Sequence, residues 1–220
     1  MILDITYISI ILFSLITGLI FTKKSSQFSY KFLLIFLTLT FFNESACLYI
    51  KTRQLGSTYI FYNFYYYFRF PILGYMFLLL FENKFQKILV YFFLLLTAVL
   101  GCFNFFYWYG LNRLHSSYLL IGGIFTIILC LIHFYNILKK TKRENPLTAP
   151  FFGVAVGLFF FFLGILPFFG IINLLLKKDI IFVSEYLVLI KALSIFLYSL
   201  IGLDFFIQWK QLKSEHWLLR

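Results

Sequence analysis

Charge is what this chain of 220 residues has least of: 12% of its residues are Asp, Glu, Lys or Arg, and only 8 are acids. A soluble domain is about a quarter charged, so an ordinary water-facing surface is excluded. Proline (4), cysteine (3) and histidine (3) are also scarce. Cys47, Cys102 and Cys130 lie in separate apolar stretches, with no two at metal-ligand spacing, and read as small packing residues. The chain also lacks a Gly-rich phosphate loop, HExxH, GxSxG and any paired-cysteine motif. Enzymatic chemistry is therefore not the leading expectation, and no cofactor or metal is expected.

Apolar length is abundant. Hydrophobic residues make up 62% of the chain, 33 of them Phe and 16 Tyr, and the mean hydropathy is +0.94. About 20 apolar residues carry a helix across a bilayer, and the chain offers seven such blocks, at about 3–21, 32–50, 58–81, 88–108, 117–138, 150–176 and 180–208. Stretches such as Phe159–Leu166 are apolar on every side, unlike the alternation of a barrel strand. Backbone facing lipid must satisfy its own hydrogen bonds, so the expected fold is all-α: a seven-transmembrane-helix bundle in one domain, 1–209, with a short basic tail at 210–220. Short links between blocks make successive helices antiparallel neighbours.

The formal net charge of +11 raises the possibility of nucleic acid. Placement argues against that partner, because the cations sit in short clusters between blocks and form no continuous basic face. They read as topology signals and contacts to anionic headgroups of the lipid bilayer. Twelve of the 19 Lys and Arg residues fall in the first, third and fifth links and the tail; five fall in the second, fourth and sixth links. That bias predicts an N-terminus outside and a cytoplasmic C-terminus. Asp4 in place of a basic N-terminal region, with Lys23-Lys24 after the first block, fits a first span better than a cleaved signal peptide. The tail, with Lys210, Lys213, Trp217 and Arg220, is expected to extend the last helix along the inner interface or to dock a cytoplasmic partner.

Inside the blocks, Glu44, Arg69, Glu185, Lys191 and Asp204 are conspicuous. Each charge near a bilayer centre costs about 2.5–3.5 kcal/mol on insertion scales, so each needs a partner, water or a role. At a helical rise of about 1.5 Å per residue, Glu44 and Glu185 fall about 8–9 Å below the outer surface, and Arg69 and Lys191 about 16 Å. Asn63 belongs to the same layer. Cross-helix pairing is expected, with Glu44 to Arg69 first and Glu185 or Glu44 serving Lys191. The layer is either a structural salt-bridge network or an outward-facing polar pocket that binds a small ligand through Glu44, Asn63, Arg69, Glu185 and Lys191. Pro71 and Pro167 are expected to interrupt their helices beside it. Tyr62, Tyr65, Tyr66 and Tyr67, with Tyr107, Trp108 and Tyr109, read as an outer aromatic belt, or as pocket donors if they turn inward. Near the inner surface, His133, Asn136, Asp204 and Gln208 read as interface residues, with Asp204 solvated or meeting Lys139 or Lys210.

Lys191 and Arg69 resemble the Schiff-base lysine and span-three arginine of microbial rhodopsins. The likeness stops there: Phe70, Pro71, Ile72 and Leu73 follow Arg69, and Leu187 precedes Lys191 by four, where that family has acids. No retinal is expected. Glu44 at the end of span two, Tyr62-Asn63-Phe64-Tyr65 opening span three, and Asn145-Pro146 with Pro150-Phe151-Phe152 resemble small uncharacterised seven-helix inner-membrane proteins of Bacteroidota. That resemblance implies a multi-pass protein of a bacterial inner membrane, acting as a membrane partner of a signalling system, and brings no active site with it. The expected function is thus a sensory or accessory membrane component with a membrane or cytoplasmic signalling protein as partner. A small-solute or ion transporter using the same charged layer is the alternative, and a lipid-acting membrane enzyme the third.

Overall fold

The computed structural model describes residues 2–23, 27–108, 114–140, 146–175 and 180–218. Within those ranges the side chains at 2, 107–108, 171–175, 180–185 and 213–218 lie outside the description. Among the described residues all regular structure is helical. The long helices are α1 (Ile2–Thr22), α2 (Phe28–Thr52), α3 (Tyr59–Leu80), α4 (Lys84–Phe103), α5 (Ser116–Lys140), α6 (Phe152–Leu175) and α7 (Ile180–Leu218). A π-helical turn, Asn104–Trp108, continues α4, and a 3-10 turn, Pro146–Thr148, precedes α6.

Six of the seven helices, all but α3, are long and apolar enough to cross a membrane. Helix α3 has the length but carries Asn63, Arg69 and a run of tyrosines. A helix this polar is tolerable only with its polar stripe turned inward, and Asn63 and Arg69 are indeed buried. The outer surface reverses the pattern of a soluble protein. Phe42, Phe85, Leu95 and Phe106 are exposed, whereas Arg69, Asp204, Asn63 and His115 are buried. Such an arrangement suits hydrocarbon surroundings.

Each helix packs on its neighbours in sequence, and α7 closes the ring against α1. Helices one and seven run parallel, with Ser14 donating to the Tyr198 carbonyl at 2.6 Å. Helices α6 and α7 approach closely because Gly157 has no side chain. A Cβ there would sit 3.2 Å from the Leu197 Cα and 3.3 Å from its carbonyl oxygen. In the middle of the ring, a ring-on-ring core forms around Phe70, Phe93, Tyr118 and Phe162. Phe70 presses on Gly122, where a Cβ would lie 2.5 Å from its ring.

Helix α7 continues without a break to Leu218, so the residues of the expected tail as far as 218 extend the last helix. At about 1.5 Å per residue its 39 residues reach nearly 60 Å, about twice a hydrocarbon core.

The end of the bundle where α2 and α6 begin and α5 ends is knotted. Asp204 of α7 is neither solvated nor paired with Lys139 or Lys210. It is buried, accepts a hydrogen bond from the Tyr30 hydroxyl at 2.8 Å, and takes another from the Gly153 backbone N–H at 3.0 Å. The second bond satisfies a donor in the first turn of α6 that has no intrahelical partner. Tyr30 in turn receives the Phe151 N–H at 3.2 Å and stacks on its ring at 4.0 Å. This hold keeps Phe151 at φ 62, a left-handed conformation that a bulky residue seldom adopts. His133 bonds the Pro150 carbonyl at 3.3 Å, Gln86 and Asn136 pair amide to amide at 3.0 Å, and Gln208 donates to Thr148 at 3.0 Å.

Candidate functional site

At the opposite end, where α1 and α3 begin and α2 ends, the ring encloses a cavity of about 370 Å³. Five helices line it, each offering a single stripe. From α2 come Glu44, Cys47, Leu48 and Lys51; from α3 come Tyr62, Tyr65, Tyr66 and Arg69. Both sets follow i, i+3, i+4, i+7, the spacing that puts residues on one face of a helix. Helix α7 gives Leu187, Ile190, Lys191, Ser194 and Tyr198 by the same rule. Asp4 and Tyr7 come from α1, while Phe161, Phe168 and Phe169 of α6 make an apolar wall.

The polar groups lie in tiers. At the mouth Lys191 pairs with Asp4 through a short hydrogen-bonded ion contact. Lys191 is therefore held by Asp4 and not by Glu44, while the Glu185 side chain lies outside the described residues. Lys191 sits about three turns into α7 yet meets the first turn of α1, because α7 starts well before α1 along their shared direction. Counting depth from the start of α7 placed it too deep.

One tier lower, the Tyr62 hydroxyl donates to the half-buried Glu44 carboxylate at 3.3 Å. The Tyr7 hydroxyl also acts on that carboxylate. The expected Glu44–Arg69 salt bridge does not form.

Arg69 lies at the floor, 4% exposed. Its guanidinium carbon is 4.8 Å from the ring centres of both Phe161 and Phe162, 5.7 Å from Phe36 and 5.8 Å from Tyr65. Aromatic faces attract a cation, by about 2 kcal/mol or more when it is desolvated. They accept no conventional hydrogen bond, however, and Arg69 Nε and Nη2 are buried with no hydrogen-bond partner. Leaving a charged donor so placed costs more than the 1–3 kcal/mol typical of a neutral one. Beside it, Thr40 donates to the Phe36 carbonyl and shares a 2.8 Å hydrogen bond with the Tyr65 hydroxyl. Tyr198 completes this tier, its ring 5.9 Å from that of Tyr7. Below the floor, Phe70 and Phe162 close the bundle.

Of the residues singled out from sequence, Glu44, Arg69 and Lys191 line this one cavity. Asn63 is elsewhere: its Oδ1 accepts the His115 backbone N–H at 3.1 Å, and Tyr67 bonds the His115 ring, which ties α3 to the start of α5. The Glu185 side chain lies outside the described residues, as do those of Tyr107, Trp108 and Tyr109. The tyrosines of α3 form no belt, since Tyr62, Tyr65 and Tyr66 face the cavity. Pro71 and Pro167 both sit within helices that continue past them. Tyr7, Tyr198 and Asp4 are additions that the sequence reading missed as site residues. Tyr198 had a legible signal, because it extends the Leu187–Lys191–Ser194 stripe by one more turn.

Among the described residues no cluster of His, Cys, Asp and Glu is arranged to hold a metal ion. No family model matches the chain, and neither a curated protein nor a solved structure proves similar to it.

Proposed function

We propose that this chain is a seven-span inner-membrane protein, N-terminus outside, that binds a small ligand in the cavity and acts as a sensory or accessory component of a signalling assembly. The observation that carries this reading is Arg69, a desolvated cation with open donors, at the floor of a cavity about 370 Å³ in size. Small-molecule pockets have this build, mostly apolar and aromatic with a few convergent polar groups. The closed packing beneath favours reception over passage. Helix α7 supplies the link, since Lys191, Ser194 and Tyr198 in the cavity share one unbroken helix with Gln208 and Gln211 at the far end. A ligand that shifts α7 at the cavity moves the surface offered to a cytoplasmic partner.

Transport is the second reading. What favours it is the position of Pro71 and Pro167, interior to the two helices whose side chains meet at the Arg69 floor. Both helices run on past their prolines, but each proline removes one backbone hydrogen bond and so leaves a point at which the helix can flex beside the cavity.

The test uses a photo-crosslinking residue at Gln211 in native membranes, compared with the same protein carrying Ser194→Trp to fill the cavity. Capture of one defined partner that changes with the cavity filled is the expected result. Equal capture in both, together with solute counterflow in vesicles of the purified protein, would establish the carrier instead.

A further inference from the structure

Two opposite charges share this cavity without touching. Arg69 Nε and Nη2 have no partner, and the Glu44 carboxylate, reached by the Tyr62 hydroxyl at 3.3 Å and by that of Tyr7, still has acceptor capacity left over from its two oxygens. The other charged pair, Asp4 and Lys191, is closed on itself at the mouth. Tyr62, which marks the level of Glu44, lies seven residues before Arg69 on α3. That is about 10 Å of rise on nearly the same face. Side chains of a helix lean toward its N-terminus, Tyr62 as well as Arg69, so the offset between the two polar ends stays near that rise. The charges are left too far apart for a salt bridge and close enough for one small molecule to contact both.

The charges also constrain what that molecule is. A simple anion would satisfy Arg69 but meet the field of Glu44, and a simple cation the reverse. In a site of low dielectric, either mismatch is severe. A dipolar ion satisfies both. Two hydrogen bonds of about 2.9 Å plus the short span between an ammonium and a carboxylate on one carbon fill a gap of this size. The wall of Phe161, Phe168 and Phe169 then receives an apolar body.

We propose that the cavity binds an α-amino acid with an apolar side chain, its carboxylate at Arg69, its ammonium at Glu44 and its side chain against the α6 phenylalanines. The inference rests on the ligand-binding reading above and names the ligand class.

The experiment measures binding to the purified full-length protein in lipid nanodiscs, by calorimetry and by ligand-induced thermal shift. Probes are L-leucine, L-phenylalanine and L-tryptophan, with phenylacetate and phenethylamine as singly charged controls. At least one amino acid binds, and at least about tenfold more tightly than either control, since each control lacks one charged contact. Arg69→Met and Glu44→Gln each weaken binding by about tenfold or more. Arg69→Lys, which keeps the charge but not the fork, gives an intermediate loss and guards against misfolding of the methionine variant. Binding of phenylacetate as tight as that of phenylalanine overturns the proposal, as does undiminished binding by Arg69→Met. So does the absence of binding by all three amino acids. If Ser194→Trp nevertheless alters partner capture, only the ligand class falls; if capture is also unchanged, the sensory reading falls with it.

Discussion

Arg69 and Asp204 are each 4% exposed, one at the floor of the cavity that opens at one end of the bundle and the other near the opposite end, and the protein treats them in opposite ways. Asp204 is fully used. It takes the Tyr30 hydroxyl and the Gly153 N–H, caps α6, and joins α2, α6 and α7 in one knot. Arg69 is surrounded by rings and leaves two nitrogens without hydrogen-bond partners, beside open volume. A buried charge whose hydrogen bonds are complete is architecture, because removing it orphans its partners. A buried charge with donors to spare, lining a cavity, is held only by the ring faces around it, and under the proposal above its open donors await a ligand.

That contrast can be broken most forcefully at Asp204. Asp204→Ala strands the Tyr30 hydroxyl and the Gly153 N–H, and a loss of about 3 kcal/mol is expected from thermal unfolding in detergent. A stable variant would show that the knot is incidental. Arg69→Met removes an uncompensated charge and keeps an apolar stem, so stability is expected to rise by about 1–2 kcal/mol while ligand binding is lost. A destabilised Arg69→Met would make the arginine structural and erase the difference between the two ends. Tyr30→Phe keeps the ring stack with Phe151 but leaves one oxygen of Asp204 and the Phe151 N–H short of a partner, at a cost of about 1–2 kcal/mol.

The ends can also be told apart by side. In a chain freed of its three native cysteines, Thr58→Cys at the cavity mouth is expected to react with a membrane-impermeant maleimide on intact cells. Glu82→Cys, in the link after α3, is expected to react only after permeabilisation. The reverse pattern would invert the orientation.

The smallest effect concerns Glu82, in the same link. The Lys140 ammonium, 2.7 Å away, holds its carboxyl below the ordinary carboxylate value. A folded-state value lowered in this way contributes stability above the ordinary carboxylate range and loses it as pH falls through the lowered value. The pair is largely exposed, so Glu82→Gln should leave the neutral-pH melting temperature unmoved and only flatten the acid limb of its pH profile.

Much of the fold was legible because it depends on local composition. Apolar runs of spanning length mark each helix, and Lys–Arg clusters mark the links. Polar residues within the runs flagged Glu44, Arg69 and Lys191, which do share a cavity. Misreadings arose where a side chain's setting depends on another helix. The tyrosines of α3 read as a belt or as inward pocket donors, and only packing decided for the pocket, although Tyr62, Tyr65 or Tyr66, and Arg69 fall on one face at helical spacing. Lys191 looked deep because its level was counted from the start of α7, not from the neighbour beside it. Asp204 looked solvated because its depth said nothing of Tyr30 and Gly153.

Hydropathy and backbone satisfaction operate within about 20 residues, so the order of amino acids by itself determined where the helices run and that six are fit for a membrane. Partner choice acts over far greater separations. Lys191 meets Asp4 across 187 positions and Asp204 meets Tyr30 across 174. Such pairings follow from the rotation and axial offset of packed helices, which close contacts like those at Gly157 and Gly122 fix only once the ring is assembled. Tertiary packing alone decided that one buried charge would be saturated and the other left open.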